Sequence, residues 1–551
     1  MRSSLLALAA GFLLAATAPE VAFRDVARKA GLTDTIVSGG PKKNYVLEVN
    51  GSGACWLDYD NDGYLDLYMV NGATLDDLQG RTRQRTTNHL YRNNGQGAFI
   101  DVTAKAGVPG RGWGFGCVAA DYNNDGRTDL FVTNFGPNLL YLNRGDATFE
   151  DVTAKAGVGG GDIWHAGAAF GDYDLDGDLD LFVPGYLDFN IARPELKTCD
   201  YRGVKVHACG PLGYKGAPDA LYRNNGDGTF QDVTTQAGVA DRKLYFGFQA
   251  LFEDFDGDGR PDLFVGNDSN PNYLYKNKGD GTFEEVGLAA GIAVSGDGKE
   301  MSSMGLAAGD YDADGLIDLF VTTFANDNYI LFHNDGGGFF TDVSYPAGVG
   351  EATVPFLGWA TFFFDYNNDG RLDLFCANGH VYPEVDGVLK ETYRQPLQLF
   401  RNAGQGKFTD VSREAGLLSL APQSARGGSF ADFDNDGDLD IIVSLMDAPP
   451  LLLENTGGNR ANWLRVVLSG VRSNRMGVGA RVKVTAGGAV QHAAMRAGES
   501  YLSSNDPRLH FGLGAADEAD VEVRWPGGGL DRIEGVKANR QITIRQSSPP
   551  P

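Results

Sequence analysis

The frame Asp-x-Asp/Asn-x-Asp-Gly-x-x-Asp occurs seven times in this chain and constrains its fold more than any other feature. The first three copies place side-chain oxygens at Asp58, Asp60, Asp62 and Asp66; at Asp121, Asn123, Asp125 and Asp129; and at Asp172, Asp174, Asp176 and Asp180. The other four place them at Asp254, Asp256, Asp258 and Asp262; Asp310, Asp312, Asp314 and Asp318; Asp365, Asn367, Asp369 and Asp373; and Asp432, Asp434, Asp436 and Asp440. Oxygens at positions 1, 3, 5 and 9, with Gly at 6 for a sharp turn, suit a hard cation such as Ca²⁺. A closing Asp at position 9 lies earlier than the Glu at 12 of an EF-hand, and the flanks read as strands, so these are hairpin tips rather than helix–loop–helix sites. Seven copies in one register predict a repeat protein holding up to seven calcium ions. The plainer alternative is that the carboxylates only make Asx turns.

Each loop sits in a repeating frame. A small alternating run precedes it, as in Gly114 to Ala120, and a bulky run follows, as in Leu130-Phe131-Val132. Then come a Leu-aromatic-x-Asn signal (Leu90-Tyr91-Arg92-Asn93 is the first), a Gly-rich turn, and a fourth strand such as Phe230-Gln231-Asp232-Val233. Four short strands per unit match a propeller blade. The fourth-strand motif also stands before the first loop, at Phe23-Arg24-Asp25-Val26, and is missing after the last. The expected fold is therefore all-β: a seven-bladed β-propeller over residues 19–458, closed by an N-terminal strand that completes the last blade and removes an exposed edge. Residues 462–546 read as a separate small β domain and 547–551 as a disordered tail.

Residues 1–18 read as a secretory signal: Arg2, an apolar run from Leu5 to Ala16, and Ala16-Thr17-Ala18 as a small-residue cleavage site. The alternative is an uncleaved anchor, for which the run is short. No later run is long enough to span a bilayer, so the mature chain is expected outside the membrane, in the periplasm, at the cell surface or in the medium. A formal net charge of −25 disfavours a nucleic-acid partner. Seven bound divalent ions would reduce that charge to about −11. Of five cysteines, Cys199 and Cys209 lie in one irregular segment and are disulfide candidates; the alternative is two unrelated thiols. Cys55, Cys117 and Cys376 sit in strand-like runs and are expected as small buried apolar residues.

These repeats resemble the FG-GAP/VCBS family, whose calcium-loop blades also occur in integrin α-subunits. Phe115-Gly116 before the Asp121 loop and Phe246-Gly247 before the Asp254 loop carry the pattern. The C-terminal stretch is similar to the ASPIC/UnbV domain at Asn462-Trp463-Leu464, at Ser473-Asn474 with Gly477 to Ala480, at Leu509 to Gly514 and at Val523 to Gly527. Together these features resemble the cartilage-acidic-protein-like family. The resemblance implies a seven-bladed propeller with calcium in its blade loops, exported from the cell; it implies no settled biochemical activity.

The face opposite the loops is the candidate ligand surface. Strand starts and ends there bring Trp113, His165, Tyr186, Trp359, His380 and Arg426 toward the channel mouth, a mixed aromatic and polar set suited to a ligand or peptide. Insertions at Asn71–Thr87 (with Arg81, Arg83 and Arg85), Tyr186–Pro218 and His380–Gln395 offer binding loops or are simple length drift. No nucleophile elbow, phosphate loop or HExxH helix is present, so no catalytic residue is assigned. The expected function is a calcium-binding adhesion or interaction module for extracellular protein or glycan. The alternatives are a periplasmic or extracellular enzyme with its site at the channel mouth, and a scaffold subunit; the oligomeric state is open.

Overall fold

The computed structural model describes residues 21–82 and 86–547. The signal segment 1–18, Arg83 and Arg85 of the first insertion, and residues 548–551 of the tail lie outside the described residues.

Seven antiparallel sheets share one plan. In the first sheet, Ala54–Leu57, Asp66–Met69, His89–Asn93 and Phe99–Asp101 follow one another in space as in sequence. Each carboxylate loop joins the first strand of a sheet to the second. Its tight course comes from left-handed backbone at position 4 (Asn61, Asn124, Leu175, Gly257, Ala313, Asn368, Asn435) and at position 6, which is Gly every time. The seventh sheet takes Ala425–Ala431, Asp440–Leu445 and Leu451–Thr456 from late in the chain and completes itself with Ala22–Asp25, with Phe23 opposite Asn455.

The first strands pack on one another in chain order, and Ala54–Leu57 returns to pack against Ala425–Ala431, so the sheets close into a ring. Apolar clusters lie between neighbouring sheets: Tyr68, Leu90, Val118's neighbour Ala119 and Leu130 between the first and second, and Trp56, Leu67, Phe433 and Ile442 between the first and seventh. Two further relationships repeat seven times around the ring. The aromatic residue at loop position 2 meets the fourth-strand Phe of the following sheet, with centroids 5.5 to 6.2 Å apart, from Tyr59–Phe149 to Tyr366–Phe23 and Phe433–Phe99. The Asn of each third strand donates its side-chain amide to the carbonyl of that same position-2 residue in the preceding sheet, at 2.7 to 2.9 Å. Its own backbone N–H donates to the position-9 Asp of its sheet, also at 2.7 to 2.9 Å. One side chain thus ties a loop to its own sheet and to the next.

Cys55 and Cys117 were expected as buried thiols. They form a disulfide joining the first strands of the first two sheets. Cys199 and Cys209 are also bonded, and Cys376 is a buried free thiol.

The C-terminal region forms a three-stranded sheet (Leu509–Gly514, Asn462–Ser469, Arg540–Arg545) and a four-stranded one (Ala489–Ala494, Arg481–Ala486, Glu518–Arg524, Leu530–Lys537). Its strands pair only with one another, and one segment between them enters the ring. Residues 496–506 run into the ring centre and turn at Ser500 and Leu502, both left-handed. Backbone bonds seat this plug on five sheets, the seventh through the Asp506 N–H, which donates to Phe430 at 3.0 Å. Ser500 exchanges bonds with Leu306 (2.8 and 3.0 Å), Phe170 N–H donates to Ala497, Cys117 N–H to Leu502, and Ser504 N–H to Ala54. The plug explains the small residues of the first strands: a Cβ on Gly53 would lie 1.6 Å from the Leu502 carbonyl oxygen.

Candidate functional site

Two regions carry chemistry, one at each end of the ring axis. The first is the set of carboxylate loops. In the Asp58 loop, the position-1 carboxylate accepts from the N–H groups of Asp62 (3.0 Å) and Gly63 (2.9 Å), and the Asp121, Asp310, Asp365 and Asp432 loops repeat that arrangement. The turn thereby gathers acids: ligand-capable oxygens of Asp58, Asp60 and Asp62, of Asp172, Asp174 and Asp180, and of Asp254, Asp256 and Asp258 lie within 4.8 Å of one another.

These groups fit a hard cation for a reason beyond their spacing. At the four ligand positions, buried carboxylate oxygens without a hydrogen-bond partner occur in five loops: on Asp60, on Asp129, on Asp172 and Asp174, on Asp312, and on Asp373. A buried acceptor left without a donor is costly. Burial pushes the position-9 carboxyls far above the carboxylate range, to about 8 for Asp66, Asp129, Asp262 and Asp318, and upward for Asp180, Asp373 and Asp440. An oxygen-seeking cation at the centre of each loop would satisfy these oxygens and favour the ionised form.

The loops differ in the residue that faces them from the third strand. Arg92 lies 2.5 Å from Asp60 and 2.7 Å from Asp62, Lys276 is 2.6 Å from Asp256, and His333 is 3.2 Å from Asp312. The matching residues are Leu142 in the second sheet and Glu454 in the seventh.

The C-terminal region lies against six of the seven loops. Arg465 pairs with Asp432, His492 Nδ1 is 2.9 Å from Asp310, and Arg481 is 3.8 Å from Asp254. Arg475 N–H donates to Asn124 at 2.7 Å, and His510 Nε2 is 2.6 Å from Asn368. At the Asp172 loop a Cβ on Gly177 would sit 2.7 Å from the Arg472 carbonyl oxygen.

The second region is a cavity of about 510 Å³ at the opposite end of the axis. Its walls include Tyr186, Phe248, Trp359 and Tyr382, with Asn50, Asp268 and Ser302 among its polar groups. The plug tip supports the aromatic wall: the Tyr501 ring is 4.9 Å from Trp359 and 5.8 Å from Phe248. The Cys199–Cys209 segment forms part of the rim. It is anchored by the Tyr201 hydroxyl, which donates to Glu391 at 2.5 Å, and by an Arg202–Glu391 ion pair. The Tyr186–Pro218 and His380–Gln395 insertions are thus locked together.

Of the six ligand-face candidates, Tyr186 and Trp359 line this cavity. The other four turn into the walls. Trp113 is fully buried and stacks on Phe115 at 6.5 Å. His165 is buried, and desolvation lowers its pKa to about 4. His380 accepts from the Tyr382 N–H at 3.0 Å and faces Glu391 at 3.3 Å; together with Tyr201 and Asn326 it holds that carboxyl down at about 2. Arg426 is fully buried without a carboxylate partner. Its guanidinium donates to the carbonyls of Val49 (2.6 Å), Ala425 (2.7 Å), Gly379 (3.2 Å) and His380 (3.3 Å) and covers one face of Trp359 at 4.1 Å. Alternate side chains of a strand point to opposite faces, which directs these four into the packing between sheets. Asp268 also lines the cavity; it is buried and accepts from the Tyr186 hydroxyl at 2.8 Å.

Comparison with known proteins gives three results. The FG-GAP-like repeat family model matches residues 58–132, 121–183, 254–321, 310–376 and 378–443, and the ASPIC and UnbV model matches residues 470–550. Cartilage acidic protein 1 of Homo sapiens is 28% identical over 322 residues, 56% of this chain and 45% of its own length. Its Mus musculus counterpart is 28% identical over 322 residues, 56% and 46%; the match thus spans about half the length of these relatives. Among solved structures, an Agrocybe aegerita lectin described as recognising non-reducing terminal N-acetylglucosamine has a TM-score of 0.38 and 17% identity, over 74% of this chain and 96% of that one. Trypanosoma rangeli sialidase in complex with the inhibitor DANA has a TM-score of 0.35 and 10% identity, over 65% of this chain and 55% of that one. Overlaps of this size carry no argument about ligand or blade number.

Proposed function

The chain belongs to the FG-GAP-like repeat family and carries an ASPIC and UnbV domain, and from that premise we propose that it is a calcium-stabilised seven-bladed β-propeller, exported from the cell, that acts as an extracellular interaction module for protein or glycan. The observation that carries the calcium reading is the set of buried, partnerless carboxylate oxygens at the ligand positions of five of the loops. Positions 1, 3, 5 and 9 of each loop would hold the ion, which supplies charge neutralisation and a tie between the first and second strands of a blade. The chain's own residues do the rest: the Gly and left-handed turns aim the carboxylates, and the third-strand Asn passes the order of each loop to the adjacent blade.

Two features support an interaction role at the other end. The C-terminal region occupies the loop end, leaving the cavity end as the presenting surface. The buried polar groups of the cavity, Asp268 and Tyr186, are bonded to each other and hold its walls, which favours binding over turnover. Two disulfides suit an oxidising compartment, and among the described residues no helix is long and apolar enough to cross a membrane.

The test is calcium titration of chelator-treated protein by calorimetry and thermal melting, followed by presentation of the calcium-loaded protein to arrays of extracellular proteins and glycans. Stoichiometric uptake with a raised melting temperature and saturable capture on an array is the expected result. No uptake and an unchanged melt would sink the calcium reading, and conversion of an array ligand to product would replace the module with an enzyme.

A further inference from the structure

The interaction reading leaves open what the cavity takes, and its charge and shape restrict the answer. Its wall is aromatic on several sides, with Tyr186, Trp359 and Tyr382 contributing. Among the described residues its lining contains no Lys, Arg or His. Deep in the wall lies Asp268, 6% exposed, whose side-chain partners are all hydroxyls: Tyr186 at 2.8 Å, Ser269 at 3.0 Å, and Ser302. Among the described residues no basic side chain pairs with it. Buried carboxylates in proteins are ordinarily paired with a cation or a metal, because hydroxyl donors alone do not offset the loss of water. Exposed Glu300 stands at the mouth. Asp327 is also on the rim and is already engaged by Lys299 at 3.5 Å. Arg426, behind the wall, is separated from the cavity by the Trp359 ring that it covers.

We propose that this cavity binds a small organic cation, a primary or substituted ammonium on an apolar body, with the charged head between Asp268 and the rings of Tyr186 and Trp359 and the body against the remaining aromatic wall. The geometry supplies both forces that such a ligand needs: a carboxylate with no other counter-ion, and ring faces whose quadrupoles attract positive charge once it is desolvated. The volume of about 510 Å³ falls within the range of small-molecule sites. An anion would meet the carboxyl directly. The Cys199–Cys209 rim and its Glu391 anchor hold the cavity open, which lowers the ordering cost of binding.

This inference deepens the interaction reading by naming the ligand class, and its test does not depend on calcium uptake or on capture by any array. Phenethylamine, 2-phenylethanol and phenylacetate share one apolar body and differ in charge. Each is titrated into the calcium-loaded full chain, with tryptophan fluorescence and calorimetry as readouts. Phenethylamine is expected to bind saturably, at least ten-fold tighter than the alcohol, with no binding of phenylacetate. Asp268→Asn should abolish the preference while leaving the melting temperature within a few degrees; if that variant does not fold, Glu300→Gln should weaken the amine two- to five-fold without affecting the alcohol. Equal affinity for amine and alcohol, no saturable binding of the amine, or N-acetylglucosamine binding in its place would overturn the proposal. Any of these could occur while array capture persists, so failure here is distinguishable from failure of the interaction reading.

Discussion

The side-chain amide of Asn93 donates to the backbone carbonyl of Phe433 at 2.8 Å, tying the first sheet to the seventh. The same amide also donates to Leu65 at 3.0 Å within its own sheet. The joint that closes the ring therefore has the chemistry of the six others, such as Asn277 on Tyr173 at 2.8 Å. Removing either amide leaves two buried carbonyls without a donor, at roughly 1–3 kcal/mol each. Asn93→Ala and Asn277→Ala are expected to cost the same amount within about 1 kcal/mol in urea denaturation. A closing joint much weaker than the internal one would mean that closure is a late, loose docking.

Calcium removal should be strongly destabilising. A site held at 100 times its dissociation constant contributes about 2.7 kcal/mol, and several sites add. The residue facing each loop should grade the effect. Arg92 already supplies positive charge to Asp60 and Asp62, so Arg92→Leu, which copies Leu142 of the second sheet, should lower the calcium concentration needed for half-maximal thermal protection. An unchanged or raised requirement would show that Arg92 does not compete with the ion.

His165 gives a pH signature. Burial lowers its pKa from 6.5 to about 4 in the folded chain. Between those values the unfolded state binds the extra proton, so stability rises with pH there and falls as the solution is acidified. The contribution is complete above about 6.5 and is lost toward 4, with a slope of up to about 1.4 kcal/mol per pH unit. His165→Gln should flatten the wild-type profile across that window, measured by denaturant midpoints at fixed calcium. Parallel profiles for the two proteins would refute the assignment.

The Cys55–Cys117 bond spans 62 residues. On the chain-entropy estimate it contributes about 4 kcal/mol. Cys55→Ala with Cys117→Ala should lower stability by several kcal/mol. In the wild-type protein, denaturing alkylation without reductant should label Cys376 alone; labelling of three cysteines would show that the bond does not form.

The repeating parts of the fold are legible in the sequence because their chemistry lies in side chains: the carboxylates, the fourth-strand Phe residues and the third-strand Asn residues recur in register. Giving Phe23 to the last sheet needs only a count. The function of the Asn is not legible, because its partner is a backbone carbonyl that any residue supplies. Cys55 and Cys117 belong to different sheets and face each other only once those sheets pack. The plug is the largest omission. Residues 496–506 have no periodicity and no motif, and they are seated mainly by backbone bonds. The only hint lay elsewhere, in the glycines and alanines of the first strands, which signal that something approaches them closely. At the cavity end, chain position identified the strand ends but not their alternation, so Tyr186 and Trp359 reach the cavity while Trp113, His165, His380 and Arg426 do not.

Tyr501, at the tip of the plug, donates its hydroxyl to the Asn50 carbonyl at 3.1 Å, across 451 positions of the chain. The order in which the ribosome makes this protein is therefore the reverse of what its axis requires. All seven sheets are synthesised before the segment that fills the tube between them. A nascent chain stalled short of residue 496 has every sheet of the ring but an empty hub, with glycine-containing strands bare along it. Completion of synthesis is thereby built into the tertiary structure, and a prematurely terminated product would differ from the finished one at its centre rather than at its margin.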